Sequence, residues 1–211
     1  MRSPCHHSVQ VAVYIINIRT RQASNPLPSL PEPRTVALRP FAADAAPGIR
    51  RISVRVGRPA PDRLVLEYEL AGELHAVIVP DPATTAAMAG PTDGLWRHTC
   101  MEAFVRGTPG PYLEFNLAPS GQWAAYRFSG YREGMTPLTG IDPPRIELRT
   151  QAGQLLLSAE VELPTELAAA GLQLGIAAVV ESQPEQLSYW AVRHAGARPD
   201  FHHPDSFAFE I

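Results

Sequence analysis

Apolar and polar residues alternate along much of the chain beyond residue 34, and this period-two pattern predicts a protein built from β-strands. The alternation is clearest over residues 52–56 and 64–70, where every second position is apolar. Residues 57–62, between them, are rich in glycine and proline and predict a turn. We therefore expect these two strands to pair antiparallel.

The pattern continues to the C-terminus and predicts roughly ten short strands separated by turns. Residues 145–150 and 154–163 read as a hairpin, and 164–170 as one short helix that stops at Gly171. Residues 174–180 are nearly all apolar, which indicates a central strand. Other strands are predicted at 74–79, within 95–104, within 112–123, and at 123–128, 189–192 and 207–211. The sequence therefore predicts an all-β fold, an antiparallel two-sheet β-sandwich with one short helix.

The N-terminal part of the chain differs in composition from the rest. Residues 22–33 contain four prolines, which is typical of a linker, so we expect a flexible N-terminal extension over 1–33 and one folded domain over 34–211. The apolar run within 9–18 could instead pair as an edge strand. It is shorter than a membrane span and no cleavage site follows it, so we expect no signal peptide and a cytoplasmic protein.

Composition and charge narrow the function classes. A chain of 211 residues with 45% hydrophobic content can bury the core of one such domain. The net charge of −3 and the absence of a lysine or arginine cluster argue against a nucleic-acid partner. Cys5 and Cys100 lie in dissimilar surroundings, one in a polar leader and one in a predicted strand. This favours reduced thiols over a disulfide.

Two consecutive predicted strands carry unusual polar residues. The segments 95–104 and 112–123 contain two Trp, two Glu, one His and one Asn. A plain sandwich core would have Val, Ile or Leu at such positions. If these polar groups face the core, they must be hydrogen-bonded; if they face a cleft, they form a site.

These segments also carry a resemblance to a known family. Together with two later motifs, they resemble the bacterial DOMON-like proteins related to the family 9 carbohydrate-binding modules, over about residues 36–211. The resemblance implies a jelly-roll or DOMON-like β-sandwich of roughly ten strands, in a superfamily whose members bind sugars or haem. The motifs are LWRHTC (95–100) with Glu102, YLEFN (112–116), PSGQW (119–123), YWAVRH (189–194) and PDFHHPDSF (199–207).

A sugar site needs flat aromatic faces together with polar groups that hold hydroxyls. We predict a ligand site from the aromatic and polar residues of the motifs, namely Trp96, Arg97, His98, Glu102, Asn116, Trp123, Arg193 and His194. Tyr126 and Trp190 are further aromatic candidates. Trp123 and Trp190 could equally be core residues, because Trp is buried on average. In the sugar-binding family 9 modules two Trp clamp the ligand, and no two Trp of this chain align onto that pair.

Haem and a divalent metal are alternatives to a sugar, although no cofactor at all is the first expectation. Haem in the cytochrome branch of the superfamily takes Met and His ligands, for which Met101, Met135, His98 and His194 are available without a specific pattern. Met101 reads more simply as core packing. A metal could take imidazole and carboxylate ligands from the C-terminal motif, namely Asp200, His202, His203 and Asp205. These residues could instead bind loop backbone and hold the last strand in place.

Glu102 and Glu114 lie on neighbouring predicted strands and raise the question of catalysis. A facing carboxylate pair could do acid and base work on a glycosidic bond. Arginines are available to turn the pair into a buried structural network, namely Arg97, Arg127 and Arg193. The sequence has no nucleophile elbow, phosphate loop or HExxH motif, so we assign no catalytic residue and lean against an enzyme.

We therefore predict a non-catalytic binding module for a small polar ligand, a carbohydrate or a sugar-containing metabolite, with neither nucleic acid nor membrane as partner. The alternatives are a β-sandwich that acts through a protein partner or as a homodimer, and a haem- or metal-binding domain. An exposed Trp96 beside an open pocket favours ligand binding. Full burial of Trp96 and of the Glu102 and Glu114 pair, with arginine partners, favours a structural role.

Overall fold

The computed structural model describes residues 31–42, 48–79, 89–107, 110–168, 171–183 and 186–211. In that part of the chain there are thirteen strands, one short α-helix and three single 3₁₀ turns. The 3₁₀ turns cover Leu74–Ala76, Leu95–Arg97 and Pro204–Ser206. The α-helix is α1 (Thr165–Ala168). The strands are β1 (Arg34–Pro40), β2 (Ile49–Ala60), β3 (Arg63–Gly72), β4 (Gly90–Pro91), β5 (Cys100–Arg106), β6 (Tyr112–Leu117), β7 (Gln122–Phe128), β8 (Thr136–Pro137), β9 (Arg145–Gln151), β10 (Gln154–Glu162), β11 (Gln173–Ser182), β12 (Gln186–Ala191) and β13 (Phe209–Glu210).

The strands form one curled sheet with the order β4-β7-β6-β5-β11-β12-β1-β2-β3-β10-β9. β13 pairs with β11, and β8 pairs with β7. Strand β1 joins the two halves, because residues 34–38 pair with β2 while Arg39 and Pro40 pair with β12. The structure is thus nearly all β with one short helix, as predicted, but the strands follow one continuous path and are not clearly divided into two sheets.

The sheet is also not purely antiparallel. Gly90 and Pro91 of β4 run parallel to Gln122 and Trp123 of β7, so the antiparallel prediction is wrong at this pair. β4 has only two residues in the sheet, and it lies outside β7 at the end of the path. A pattern of alternating residues cannot reveal such a short parallel contact.

The two predicted hairpins are present. β2 and β3 pair antiparallel around Pro61 and Asp62, and β9 and β10 pair around Ala152 and Gly153. The apolar strand β11 lies between β5 and β12, as its composition predicted. The predicted strand over 74–79 is wrong, because residues 74–76 form a 3₁₀ turn and only Val77 makes a bridge, to Ser182. The apolar run within 9–18 and most of the predicted extension 1–33 lie outside the described residues.

The main core lies between the two halves of the curled sheet. Alternate residues of β2, β3 and β10 face those of β5, β6 and β11, and most of these side chains are fully buried. The Tyr68 hydroxyl crosses this core and donates a 2.8 Å hydrogen bond to the backbone carbonyl of Glu102. Trp190 belongs to this core, where its indole N–H donates to the Ser188 hydroxyl.

The half of the sheet around β5 and β6 is buried on both faces, which explains its weak alternation. Every residue of β6 is buried, and so is every residue of β5 except Arg106. A second apolar cluster covers the outer face, and Phe201 and Phe207 of the C-terminal segment pack into it. Phe104 of β5 lies at its centre, in ring contact with both. The candidate site lies on this outer face.

Candidate functional site

A cleft of about 360 Å³ opens on the outer face of β5, β6, β7, β11 and β12. One strand residue comes from each of these elements, and the C-terminal segment and two loops supply the walls. We call it the main cleft. Its lining residues are Trp96, Glu102, Glu114, Phe128, Arg132, Met135, Val179, Tyr189, Pro199, Phe201 and His202.

Trp96 forms one aromatic wall of the main cleft. Gly94 adopts φ 77°, a left-handed conformation that favours glycine, and starts the 3₁₀ turn that carries Trp96. The neighbouring Leu95 is buried and anchors the turn, while Trp96 stays half-buried. Its ring meets Tyr126 edge to face with 6.2 Å between centroids. The Tyr126 hydroxyl in turn donates to a carboxylate oxygen of Asp93.

Two carboxyl groups form the floor of the main cleft. Glu102 of β5 is opposite Asn116 of β6, and Phe104 is opposite Glu114, so the two glutamates are diagonal neighbours on one face. Glu102 is 3% exposed and Glu114 is 5% exposed. Asn116 Nδ2 donates a 2.7 Å hydrogen bond to Glu114 Oε1. Glu102 Oε1 is buried without a hydrogen-bond partner among the described residues.

Burial shifts the pKa of both carboxyl groups upward. The pKa of Glu102 lies well above 4.5, first because of burial and then because of the nearby Glu114. Burial also raises the pKa of Glu114 to about 7, although the Asn116 hydrogen bond and the Arg132 charge oppose this shift. Both carboxyl groups therefore hold their protons to a higher pH than a solvated carboxyl group does.

His202 of the C-terminal segment closes the cleft above Glu114. Its Nδ1 lies 2.8 Å from the Tyr112 hydroxyl, which also accepts a 3.2 Å hydrogen bond from the backbone N–H of Arg132. With Tyr112 donating to Nδ1, the proton of the imidazole is on Nε2, which lies 3.9 Å from Glu114 Oε2. Burial lowers the pKa of His202 to about 4, so this contact joins a neutral imidazole to a carboxyl group and is not an ion pair near neutral pH.

Arg132 is the one basic side chain that lines the main cleft in the described part of the chain, apart from the neutral His202. It has φ 56°, the one positive value at a described non-glycine residue. Its Nη2 donates a 2.8 Å hydrogen bond to Asp200 Oδ1, and the Tyr131 hydroxyl donates 2.6 Å to Asp200 Oδ2. These bonds tie the 130–135 loop to the C-terminal segment.

The structure brings two of the predicted ligand residues, Trp96 and Glu102, to the main cleft. Asn116 is fully buried, does not line the cleft, and donates a hydrogen bond to Glu114. Trp123 packs against the main core and lines a separate cleft of about 500 Å³, which we call the side cleft. The side cleft also contains Tyr126 and shares Met135 with the main cleft.

The other four predicted ligand residues do not line the main cleft. His98 Nδ1 lies 2.8 Å from Glu181 Oε2, and His194 Nε2 lies 2.8 Å from the backbone carbonyl of Arg39. Arg97 and Arg193 are exposed.

Most of the cleft residues outside the predicted set come from loops or from strands without polar motifs. Glu114 had a sequence signal, since it lies two residues from Asn116 and therefore on the same face of a strand. Arg132, Met135 and Phe201 have no periodic signal, because tertiary contacts between the loop and the C-terminal segment place them.

Three of the four candidate metal ligands use their side chains in contacts with protein groups, and the fourth, Asp205, contributes its backbone N–H. Asp200 binds Tyr131 and Arg132, His202 binds Tyr112, and His203 Nδ1 accepts the backbone N–H of Asp205. No group of three or more His, Cys, Asp or Glu residues arranged to hold a metal is found within the described ranges.

The other candidate ligands for haem and the one described thiol also have defined surroundings. Met101 is fully buried in the main core, and Met135 is 47% exposed. Cys100 is a free, buried thiol whose Sγ donates to Asn116 Oδ1 at 3.6 Å. Burial raises the pKa of this thiol well above its usual value, so it is not a reactive thiolate.

Among the described residues, no helix is long and apolar enough to cross a membrane.

Comparisons with known proteins connect the fold to solved structures. A crystal structure of a candidate carbohydrate-binding protein from Bacteroides uniformis ATCC 8492 matches with a TM-score of 0.55 and 15% identity, over 82% of this chain and 83% of that one. A family 9 carbohydrate-binding module from Caldicellulosiruptor kristjanssonii, in complex with cellotriose, matches with a TM-score of 0.44 and 10% identity, over 75% and 71% of the two chains. No family model and no curated protein matches the chain. At such low identity the Bacteroides structure shows a shared fold.

Proposed function

We propose that the protein is a non-catalytic binding module for a small polar ligand, a carbohydrate or a sugar-containing metabolite, bound in the main cleft. One observation carries this proposal. Side chains from five strands, two loops and the C-terminal segment, among them four aromatic rings and two buried carboxyl groups, converge on one cleft of about 360 Å³. Convergence of this kind is typical of small-molecule sites.

The chemistry of the cleft suits a sugar ring. Trp96, Phe128, Tyr189 and Phe201 present aromatic surface to the C–H face of such a ring. The carboxyl groups of the floor can accept hydrogen bonds from hydroxyls, and the guanidinium of Arg132 can donate to ring or hydroxyl oxygens. The volume lies near the lower end of the roughly 300–1,000 Å³ found for ligand pockets, which favours a small saccharide over a long chain.

The Bacteroides protein that shares the fold is described as a carbohydrate-binding candidate, which agrees with this proposal. We further propose that the curled sheet is a variant of the DOMON-like β-sandwich related to family 9 modules. Within the predicted ligand set, we propose direct ligand contact for Trp96 and Glu102. The cytoplasmic location stays a prediction.

Sugar binding is tested by calorimetry and tryptophan fluorescence with a panel of monosaccharides and disaccharides. Trp96→Ala should weaken binding by roughly tenfold or more, because it removes one aromatic wall. Trp123→Ala is the matched control, since this partly buried Trp lies outside the main cleft and should leave affinity unchanged.

Equal loss in both variants would contradict the assignment of the main cleft. If no sugar of the panel bound, the result would contradict the proposal. It would favour the alternative of a β-domain that acts through a protein partner or as a homodimer. In that case, sedimentation of the intact protein would separate a homodimer from a monomer.

A further inference from the structure

The floor of the main cleft has a carboxyl oxygen with no protein partner. Glu102 lines the cleft, is 3% exposed, and its Oε1 finds no hydrogen-bond partner among the described residues. A buried carboxyl oxygen without a partner costs free energy that a ligand can recover by donating a hydrogen bond. Glu102 Oε1 is therefore an acceptor that a ligand with a hydrogen-bond donor can fill.

The positively charged side chain nearest the cleft floor, Arg132, already forms an ion pair with another residue. Arg132 gives its Nη2 donor to Asp200, which offsets much of its charge, and His202 is uncharged near neutral pH. Glu114 takes its hydrogen bond from the neutral amide of Asn116. No arginine or lysine forms an ion pair with Glu102 or Glu114 in the described part of the chain. The two acidic groups of the floor therefore have no arginine or lysine ion-pair partner among the described residues, although the charge of Arg132 acts on Glu114 from the cleft wall.

We infer that the main cleft selects a sugar that bears a free amino group, with the ammonium placed on the floor between Glu102 and Glu114. The inference rests on the proposed function and names the class of sugar. An ammonium group offers three donors and a positive charge. It can therefore donate one hydrogen bond to Glu102 Oε1 and another to the carboxyl group of Glu114. A hydroxyl group could supply one donor but carries no charge that would stabilise the ionised form of either carboxyl group.

Proton release accompanies this mode of binding. In the free protein, burial and the neighbouring Glu114 raise the pKa of Glu102 and so favour its protonated form. An ammonium beside it favours the carboxylate, so a proton leaves for solvent as the cation enters and the charge of the floor is balanced. The titratable or charged groups that interact with the two glutamates from neighbouring elements are Tyr68, Cys100, Tyr112, Tyr126, Arg132 and His202.

The test is calorimetry of the full chain with glucosamine, N-acetylglucosamine and glucose at pH 7. We expect glucosamine to bind at least ~10-fold more tightly than the other two sugars, which corresponds to one charge-assisted contact. Titrations in two buffers with different enthalpies of protonation should show that protons are released with glucosamine only. Glu102→Gln should reduce both the preference and the proton release, and the share that remains belongs to Glu114.

Two further variants keep the result interpretable. Glu114→Gln provides a second change on the floor and should reduce the preference for glucosamine. Glu160→Gln changes a glutamate of β10, in the half of the sheet without the cleft, and should leave both readouts unchanged. Circular dichroism of each variant confirms that it is folded.

The outcomes separate this inference from the proposed function. Equal affinity for glucose and glucosamine, lost in Trp96→Ala, would overturn the inference and leave the sugar site in place. A preference for glucosamine that survives in Glu102→Gln and Glu114→Gln would also overturn it. If neither these three sugars nor any sugar of the wider panel bound, both the proposed function and the inference would be overturned.

Discussion

The side-chain amide of Asn116 donates a 2.7 Å hydrogen bond to Glu114, two residues earlier on the same face of β6. The same amide accepts a hydrogen bond from Cys100, so one fully buried Asn contacts both a buried thiol and a carboxyl group of the cleft floor. Buried amides of this kind are costly unless both ends are satisfied. Asn116 is therefore a positioning residue for the site.

Asn116→Asp should destabilise the fold by about 2 kcal/mol or more at pH 8, because it removes the donor to Glu114 and adds a third buried acid. The loss should be smaller at pH 5, where the added carboxyl group takes up a proton more readily. Urea denaturation at both pH values measures this. Gln151→Glu, an exposed change of the same kind in β9, is the control and should cost little. Equal stability of Asn116→Asp and wild type would contradict this account of the floor.

The raised pKa of Glu114 predicts a pH dependence of stability. The folded pKa of about 7 lies above the ordinary 4.5, so the folded state binds more protons than the unfolded state between these values. The contribution of Glu114 is therefore fully present below pH 4.5 and is lost as the pH rises through 7. The difference between the folded and the ordinary pKa of Glu114 corresponds to about 3 kcal/mol of unfolding free energy as an upper bound.

Glu114→Gln should remove this pH-dependent loss of stability. The free energy of unfolding of the variant, relative to that of the wild type, should therefore rise between pH 5 and pH 8. Urea denaturation across that range gives the comparison. Glu160→Gln serves again as the control and should follow the wild-type curve. A constant difference between wild type and Glu114→Gln at all pH values would contradict the raised pKa.

The buried imidazole of His202 should titrate with a midpoint near pH 4. A folded pKa below the ordinary 6.5 means that its contribution to stability is present above 6.5 and is lost as the pH falls through about 4. NMR of the imidazole signals measures the midpoint, and the signals missing in His202→Gln assign it. Tyr112→Phe should raise the midpoint, because Nδ1 loses its hydrogen-bond donor. A midpoint near 6.5 in the wild type would show that His202 is not buried in this way.

Gly72 at the end of β3 should not tolerate a side chain. It has φ +154°, and a Cβ atom there would lie 2.0 Å from the backbone carbonyl oxygen of Gly48. Gly72→Ala should therefore cost more than about 2 kcal/mol in unfolding free energy. Gly171→Ala is the control, because nothing lies within 4 Å of the position of its added Cβ atom. Similar denaturation midpoints for the two variants would contradict this close approach.

The alternation of apolar and polar residues by itself determined where most strands lie. β3 and β10 alternate cleanly because one face of each packs on the main core and the other meets solvent. The turn residues between β2 and β3, and between β9 and β10, also determined the two hairpins. The pattern failed at 74–79, where a short apolar run bends into a 3₁₀ turn.

The polar residues of β5 and β6 were visible in the sequence, and their presence there predicted either a site or a buried network. The structure shows features of both readings, since Trp96 is half-buried beside a cleft while Glu102 and Glu114 are buried without an arginine ion pair in the described part of the chain. Sequence alone could not decide this, because the exposure of a strand face depends on what covers it.

Only the tertiary structure decided which groups form the cleft. The C-terminal segment brings Phe201 and His202 over the outer face of β5 and β6, although about ninety residues separate Tyr112 from His202 in sequence. Hydrogen bonds from Tyr131 and Arg132 to Asp200 hold that segment against the 130–135 loop. A strand pattern records the alternation of faces within one element, whereas the packing of distant loops depends on contacts that leave no local period in the sequence.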